Sequence, residues 1–240
     1  MSKIIRLDRF VSNQVFDISR SEVKTLCKKG RITVNGKPSK SDMKINAEKD
    51  IVSVDGEAIE YKEHIYIMLN KPKGYVCSTK DGESPTVLEL VPKKLFREGI
   101  FPAGRLDKDT EGFVLLTDDG ELSHKMLSPK NHVDKKYYVE LRDEIKRDTD
   151  QLFKDGITID GNEKCMPARL IRIDGNKRAC YLVLHEGKFH QVKRMFISVG
   201  NEVVYLKRVS IGKMNLDENL PLGKCLEILH KDIPKLLDRI

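Results

Sequence analysis

The stretch FPAGRLDKDTEGFVLLTDDG, residues 101–120, carries the pattern that decides the fold of most of the chain. Its apolar run FVLLT predicts a buried strand, and the residues DDG that follow are typical of a turn rather than of a magnesium site. Residues 104–107 (GRLD) occupy a loop before that strand. Loops held by rigid strands often carry functional groups, so Asp107 is a candidate, although a lone acidic residue in such a loop is more commonly a turn former.

Strand patterns lie on both sides of this stretch. IYIMLN (65–70) and YVCST (75–79) flank a Lys-Pro-Lys-Gly turn and predict a hairpin. YYVEL, ARLIRI, CYLVL and VVYL predict further strands, and helices are expected near residues 121–127, 189–199 and 231–238. Because strands outnumber helices and several adjoin by tight turns, residues 61–240 are predicted to form an α+β domain. Its sheet should be mixed and largely antiparallel, with flanking helices.

A smaller domain is predicted over residues 1–60. Leu7, Phe10 and Val11 have helical spacing, and Ser19 with Glu22 three residues later predicts a capped second helix. Asn-Gly at 35–36 and Asp-Gly at 55–56 predict tight turns after short strands. Residues 57–64 are polar and lack apolar periodicity, so we interpret them as a linker.

Basic residues in this small domain follow a helical pattern. Arg20, Lys24 and Lys28 are spaced by four and share one helix face, which Lys29 and Arg31 extend into the next turn. The formal net charge of +7 and a pI near 9.0 favour a polyanionic partner. A solvated helix face is the alternative interpretation, but the basic balance of the chain favours contact with RNA phosphates.

The cysteine content and the hydropathy of the chain indicate the cellular compartment in which the protein is expected. The five cysteines are odd in number and form no C-x-x-C pair, which argues against a disulfide framework and a structural zinc site. No apolar run approaches the ~20 residues that a membrane span needs. The N-terminal MSKIIRLDRF carries charges where a secretory signal needs an apolar stretch. We therefore expect a cytoplasmic protein.

Two stretches of the small domain carry a first resemblance. RLDRFVSNQV and SRSEVKTLCKKGRITVNGKP resemble an S4 domain, an RNA-binding module. The resemblance implies that this domain binds RNA and takes no part in catalysis.

Three ordered motifs carry a second resemblance, to the RsuA-like family of pseudouridine synthases. They are LNKPKGYVCSTKD at 69–81, the GRLD stretch at 101–120, and EGKFHQVKRMFISVGNEV at 186–203. The resemblance implies that Asp107 is the catalytic aspartate, that Arg105 is the arginine beside it, and that Tyr137 in KKYYV is the active-site tyrosine.

The third motif predicts a helix whose phase separates two neighbouring cations. A rotation of about 100° per residue, counted from Phe189, places Lys193 inside an apolar arc and Arg194 on the polar side. Lys193 is therefore expected to point inward, where a buried ammonium needs a carboxylate. The resemblance supplies Asp107 as that partner; a lysine that snorkels outward along Phe196 is the alternative. Arg194 is expected to bind RNA.

The chemistry implied by the resemblance is the isomerisation of uridine to pseudouridine. Asp107 would act as nucleophile or base, Lys193 would keep it ionised, and Tyr137 would stack on the target base and assist at C5. Arg105 would fill the place of the flipped base or hold a phosphate. No metal or other cofactor is expected. Asp109, two residues on, is expected to be dispensable.

The residues of these segments most resemble those of family members that act on small-subunit ribosomal RNA. We expect a monomer that acts on ribosomal RNA, as a small-subunit precursor or assembly intermediate, at uridine 516 of 16S rRNA (rRNA numbering). Two alternatives stay open at this point. One is a synthase acting on large-subunit 23S rRNA, and the other is a non-enzymatic S4-type RNA-binding protein.

Overall fold

The computed structural model describes residues 3–15, 17–128, 131 and 133–239. The chain divides into two compact units, Met1–Ile65 with Pro92–Gly99, and Tyr66–Val91 with Ile100–Ile240. The proposed boundary after residue 60 lies close to the end of the first segment. The return of Pro92–Gly99 to the first unit was not anticipated. There Arg97 donates hydrogen bonds to the side-chain oxygen of Gln14 and to the carbonyl of Lys62.

The first unit is a helix pair packed beside short strands. Its elements are β1 (Ile4–Arg6), α1 (Leu7–Gln14), α2 (Arg20–Lys28), β2 (Ile32–Val34), β3 (Lys37–Pro38), β4 (Lys44–Asn46), β5 (Val52–Val54) and β6 (Glu57–Ala58). The strands form a sheet in the order β3-β2-β5-β6 and a separate β1-β4 pair. β6 occupies part of the stretch interpreted as a linker.

Local signals in the sequence account for this unit. Ser19 caps α2, and Glu22 returns a hydrogen bond to the Ser19 backbone, as the capping box predicts. Asn35 and Gly36 both have positive φ, as the tight β2-β3 turn requires. The apolar face of α1 packs with Val23 and the buried strand residues into one core. The prediction of an S4-like unit is confirmed.

The second unit is built on one large sheet. The strands of the unit are β7 (Tyr66–Lys71), β8 (Phe101–Ala103), β9 (Glu111–Thr117), β10 (Lys135–Leu141), β11 (Thr158–Ile159), β12 (Glu163–Lys164), β13 (Arg169–Ile173), β14 (Asn176–Leu184), β15 (Val203–Ile211), β16 (Met214–Asn215) and β17 (Cys225–Glu227). β11 and β12 pair with each other apart from the large sheet. The helices of the unit are α3 (Gly120–Leu127), α4 (Thr149–Lys154) and α5 (Gln191–Ser198), with 3₁₀ turns at Val87–Leu90, Lys93–Leu95 (in the first unit) and His230–Leu236.

The order of strands in this sheet is β13-β14-β10-β15-β9-β7-β17, with β8 beside β9 and β16 beside β15. Of the pairings between described strands, β15-β9 alone is parallel. The α+β class with a mixed, largely antiparallel sheet is therefore confirmed. No helix among the described residues is long and apolar enough to cross a membrane.

The central strands owe their position to their apolar composition. Every residue of β7 and β9 is buried, so both faces of the sheet are covered there. On one face Phe113 and Leu115 pack with Tyr66, Met68 and the 3₁₀ turn at the C-terminal end. The loop that carries Asp107 thus joins β8 to the best buried strand of the sheet.

The predicted hairpin between residues 65–70 and 75–79 is wrong. β7 pairs with β9 on one side and with β17 on the other, so no edge remains for a third strand. Val76 makes only an isolated bridge with Thr86. Residues 75–79 instead run beside the loop of Asp107. Residues 75–78 are half-buried and Thr79 is exposed, so the apolar residues of YVCST do not mark a paired strand.

Candidate active site

The Asp107 loop, residues 104–110, begins at a glycine with a left-handed backbone. Gly104 has a φ of +95°, and a Cβ there would lie 3.1 Å from Leu127. The backbone N–H of Thr110 donates to the carbonyl of Asp107 at 3.1 Å, which closes a tight turn around the carboxylate. Leu106 is buried, whereas Arg105 is exposed. The buried side chain of Leu106 therefore anchors the loop between Arg105 and Asp107.

Lys71, at the end of β7, holds the backbone of this loop. Its Nζ donates to the carbonyls of Asp107 at 3.0 Å, Lys108 at 3.3 Å and Thr110 at 2.7 Å. The residue is fully buried, and burial lowers the pKa of its ammonium. Sequence reasoning missed this role. A lysine that completes an otherwise apolar strand was the available signal.

Two further contacts brace the loop from the segment after β7. The N–H of Gly74 donates to the carbonyl of Lys108 at 2.8 Å. The N–H of Leu106 donates to Sγ of Cys77 at 3.3 Å. Both contacts come from the first motif, which explains why residues 69–81 belong with the GRLD stretch.

A close approach of β9 and β15 fixes the other side of the loop. A Cβ at Gly112 would lie 2.2 Å from the carbonyl oxygen of Arg208, and Gly112 has a φ of +105°. Arg208 is buried; its Nε donates to the carbonyl of Phe113 at 2.8 Å and its Nη1 lies 3.5 Å from that of Arg105. β9 and β15 can therefore come this close at Arg208 only because residue 112 is glycine.

Two cationic or protonatable groups face the Asp107 carboxylate. Nε2 of His190 lies 3.6 Å from Oδ1, and Nζ of Lys193 lies 3.8 Å from Oδ2. Lys193 is closer to Asp109, to which it donates two hydrogen bonds of 2.6 and 2.7 Å. The sequence predicted that Lys193 would pair with Asp107 alone, whereas the structure divides this lysine between two carboxylates.

The charge state of Asp109 follows from this contact. Burial by itself would raise the pKa of Asp109, but the hydrogen bonds and positive charge of Lys193 outweigh it and lower the pKa. Asp109 is therefore ionised at neutral pH. Lys193 therefore lies close to two neighbouring carboxylates of one loop, and the dispensability of Asp109 for catalysis stays a prediction.

The helix phase assigned from the sequence is wrong. Phe189 precedes α5 and is 71% exposed, and Ile197 is 63% exposed, so neither marks the buried face. Val192 and Phe196 are buried as expected, but the buried face also includes Met195. Lys193 and Arg194 then flank that face, one on each side, and their side chains are 22% and 19% exposed. Proximity to Asp107 comes from the position of α5, not from an apolar arc.

Arg194 is engaged by groups of the protein. Its guanidinium pairs with Asp160 and, at 2.6 Å, with Glu163, and its Nη1 donates to the carbonyl of Phe189 at 2.9 Å. The expected RNA contact of Arg194 stays a prediction. The observed contacts give it a second role, because they tie the turn before α5 to β12 and the residues beside it.

The turn before α5, residues 185–190, is fixed by a buried amide. Gln191 donates to Oε1 of Glu186, and its own Oε1 accepts from the N–H of Lys188 at 3.0 Å. His190 adopts a left-handed backbone with a φ of 47°. Such a backbone is uncommon outside glycine, and it aims the imidazole at Asp107. Sequence reasoning did not include His190 in the site.

Tyr137, the remaining residue predicted for the active site, lies on β10, next to the parallel pair of β9 and β15. Tyr137 is buried on β10, where its register partners are Leu182 on β14 and Arg208 on β15. Arg208 is in turn opposite Gly112. Tyr137 and Gly112, at the start of β9, thus lie on either side of Arg208 across the sheet. No hydrogen bond joins Tyr137 to Asp107 in the described part of the chain.

The basic residues predicted in the first unit line a shared cavity. Arg20, Lys24 and Lys28 surround a space of about 550 Å³, to which Arg6 and Lys40 also contribute. Sequence reasoning missed the last two because they lie outside α2. The cavity wall also includes two acidic residues and two serines, Asp8, Asp42, Ser39 and Ser41.

The other two basic residues predicted to bind RNA lie elsewhere in the first unit. Lys29 caps the C-terminus of α2. Arg31 forms a two-pronged ion pair with Asp55, with both bonds at 2.5 Å. Their contact with RNA stays a prediction.

Comparison with known proteins gives the same division of the chain. Residues 65–198 match the family described as RNA pseudouridylate synthase, and residues 5–52 match the S4 domain. A protein of Bacillus subtilis described as an uncharacterised RNA pseudouridine synthase is 44% identical, over 95% of this chain and 97% of its own. The ribosomal small subunit pseudouridine synthase A of Yersinia pestis is 41% identical, over 95% and 97%.

A solved structure shows the same fold. A crystal structure of a pseudouridylate synthase superposes with a TM-score of 0.68 at 37% identity, covering 97% of this chain and 99% of that one. The chain therefore belongs to the RNA pseudouridylate synthase family and carries an S4 domain ahead of the catalytic unit. It is an isomerase that converts uridine to pseudouridine in RNA.

Proposed function

We propose that this enzyme modifies small-subunit ribosomal RNA, at uridine 516 of 16S rRNA (rRNA numbering). The observation that carries the proposal is similarity along the whole chain. Relatives named ribosomal small subunit pseudouridine synthase A, from Yersinia pestis and Haemophilus influenzae, are 41% and 39% identical over 95% and 97% of this chain. The enzyme acts as a cytoplasmic monomer on a small-subunit precursor or assembly intermediate.

Asp107 carries the reaction. The N1–C1′ bond of uridine breaks, the base rotates, and a C5–C1′ bond forms, while C5 loses a proton and N1 gains one. A carboxylate held in place can act as nucleophile or base in such a sequence. The contacts of Lys71 with the Asp107 loop support this role, because a positioned group reacts faster than a mobile one.

Lys193 and His190 set the charge around this carboxylate. Nζ of Lys193 at 3.8 Å balances the negative charge of the Asp107 carboxylate and orients it for attack or proton transfer. Asp109 holds the same ammonium at 2.6 Å and so fixes its position. The lysine therefore acts by placing positive charge at the site.

Tyr137 and Arg105 act on the substrate. Tyr137 stacks on the target base and assists proton removal from C5. Arg105 is exposed beside Asp107, and its guanidinium fills the space of the flipped base or holds a phosphate. The target base must leave its stack to react, which costs a few kcal/mol.

The first unit supplies affinity for the RNA. Arg20, Lys24 and Lys28 around the S4 cavity bind backbone phosphates, and Lys29, Arg31 and Arg194 add further phosphate contacts. A cavity lined by several cations suits a polyanion because its phosphates release bound counterions on contact.

Mapping pseudouridines in ribosomal RNA tests the proposal. RNA would be compared from cells with the gene, cells without it, and cells without it that carry an Asp107→Asn copy. We expect one small-subunit pseudouridine, at position 516, to be lost in the second and third strains. Loss of a large-subunit pseudouridine instead would contradict the proposed substrate and leave the enzyme class intact.

A further inference from the structure

An exposed aromatic ring stacks on the histidine that lies beside the Asp107 carboxylate. Phe189 is 71% exposed, and its ring stacks on the imidazole of His190 with 3.8 Å between centroids and 17° between planes. Nε2 of His190 lies 3.6 Å from Oδ1 of Asp107. Phenyl ring, imidazole and carboxylate thus form a row of three groups in consecutive contact, and the phenyl ring of Phe189 is its exposed member.

The protein fixes this row instead of leaving it on a loose loop. The carbonyl of Phe189 accepts a hydrogen bond of 2.9 Å from Arg194, whose guanidinium also pairs with Asp160 and Glu163. The left-handed backbone of His190 turns its ring onto that of Phe189. A strained residue beside a functional carboxylate points to a use for the geometry it creates.

Exposure of a single phenylalanine needs no explanation in itself, since scattered apolar residues are common on protein surfaces. Phe189 differs because its ring stacks on His190, its carbonyl is held by Arg194, and His190 in turn lies beside Asp107. A flat open ring next to cationic side chains suits a nucleobase, because every base presents a π-face and its phosphates carry negative charge. Nζ of Lys193 lies 3.8 Å from the same carboxylate, and Arg105, which is exposed, stands two residues before Asp107 on the same loop, so both can supply those cations.

We propose that the Phe189–His190 stack is a platform for the nucleobase that flanks the target uridine. The target base itself must reach Asp107, whereas the ring of Phe189 lies one imidazole layer further out. Stacking of the flanking base on Phe189 holds the strand while the target uridine enters the site. This inference rests on the proposed role of Asp107.

Phe189→Ala tests the platform, with Phe189→Trp as the rescue and Ile197→Ala as the matched control. Ile197 is 63% exposed on α5, so its truncation removes a comparable apolar surface outside the row. Each variant would be assayed for kcat and KM by tritium release from C5-labelled uridine in a 16S rRNA transcript. Thermal melts would check folding, which an exposed ring should not affect.

We expect Phe189→Ala to raise KM roughly 5- to 100-fold, the range that loss of one base–aromatic stack implies. The kcat should stay within about threefold of the wild type because Asp107 and its cations are untouched. Phe189→Trp should restore KM, and Ile197→Ala should leave it unchanged. An unchanged KM in Phe189→Ala, a loss confined to kcat, or failure of Trp to rescue would overturn the platform.

Fluorescence locates the stacked base. 2-Aminopurine would be placed on the 5′ or the 3′ side of the target uridine in a synthetic RNA. The wild type should quench one of the two positions, and Phe189→Ala should abolish that quenching; equal quenching by both proteins would overturn the proposal. A wild type that releases no tritium from 16S rRNA, either as a naked transcript or in a small-subunit assembly intermediate, would instead refute the proposed function, so the two failures are distinguishable.

Discussion

Nζ of Lys193 lies 2.6 Å from Oδ1 of Asp109 and 3.8 Å from Oδ2 of Asp107. One ammonium therefore balances two carboxylates on the same loop. The shorter contact belongs to the residue that the sequence suggested was dispensable, and the longer one to the proposed catalytic group. Loss of Asp107 and loss of Asp109 should therefore affect catalysis differently.

Lys193→Met should lower kcat at least about 100-fold, because it removes the positive charge that balances and orients the Asp107 carboxylate. Asp109→Asn should keep kcat within about fivefold of the wild type, since the lysine can then move fully to Asp107. Single-turnover tritium release at saturating RNA measures both. A crippled Asp109→Asn enzyme beside a normal Lys193→Met enzyme would show that Asp109 is the essential carboxylate.

Lys71→Met should destabilise the protein and slow catalysis together. It removes the lysine donor of the Thr110 carbonyl and one of two donors to the carbonyls of Asp107 and Lys108, and an unpaired buried group costs about 1–3 kcal/mol. Urea unfolding would measure the loss, with exposed Lys80→Met as the control. Wild-type stability and kcat in Lys71→Met would mean that the loop does not depend on this clamp.

Gly112→Ala should be among the most destabilising single changes in the sheet. The new methyl carbon would lie 2.2 Å from the carbonyl oxygen of Arg208, so β9 and β15 would have to separate, and the φ of +105° adds strain. We expect a loss of about 3 kcal/mol or more in urea unfolding. Gly82→Ala is the control because a Cβ there meets nothing within 4 Å. Equal stability of the two variants would contradict the tight strand contact.

The S4 cavity should govern affinity and not turnover. Replacing Arg20, Lys24 and Lys28 with Ala should weaken RNA binding and reduce its salt dependence by roughly one unit of slope per lost phosphate contact. Filter retention over a range of salt concentrations measures the slope. The matched control replaces three exposed lysines of the same unit outside the cavity, Lys37, Lys44 and Lys49. Equal slopes for the two triple variants would remove the cavity from the interface.

Local chemistry explains which parts of the fold the sequence could predict. The capping box of Ser19 and Glu22 and the turn at Asn35 involve residues a few positions apart, so their signals are complete in the sequence. The false strand at residues 75–79 had a strand-like composition. Its lack of a partner depended on β17, near the far end of the chain, which no local pattern reveals.

The same distinction applies to the active site. Motif resemblance identified Asp107 and brought Lys193 near it, because both are encoded in short stretches. The clamp of Lys71 and the close approach at Gly112 depend on contacts between distant segments. The lysine at the end of a largely apolar strand was a signal for the first, but its partners lie outside the local sequence. The phase of α5 failed because Phe189, used as its reference, lies before the helix and faces outward.

Asp107→Asn tests the central claim most directly. Asn is nearly the same size and still accepts hydrogen bonds, but it carries no charge and cannot act as a base or an effective nucleophile. Lys193 keeps Asp109 as a partner, so the variant should fold and bind RNA with near wild-type affinity. Release of tritium from C5-labelled uridine in 16S rRNA is the measurement. We predict essentially none; substantial release by a folded, RNA-binding Asp107→Asn protein would contradict the catalytic assignment.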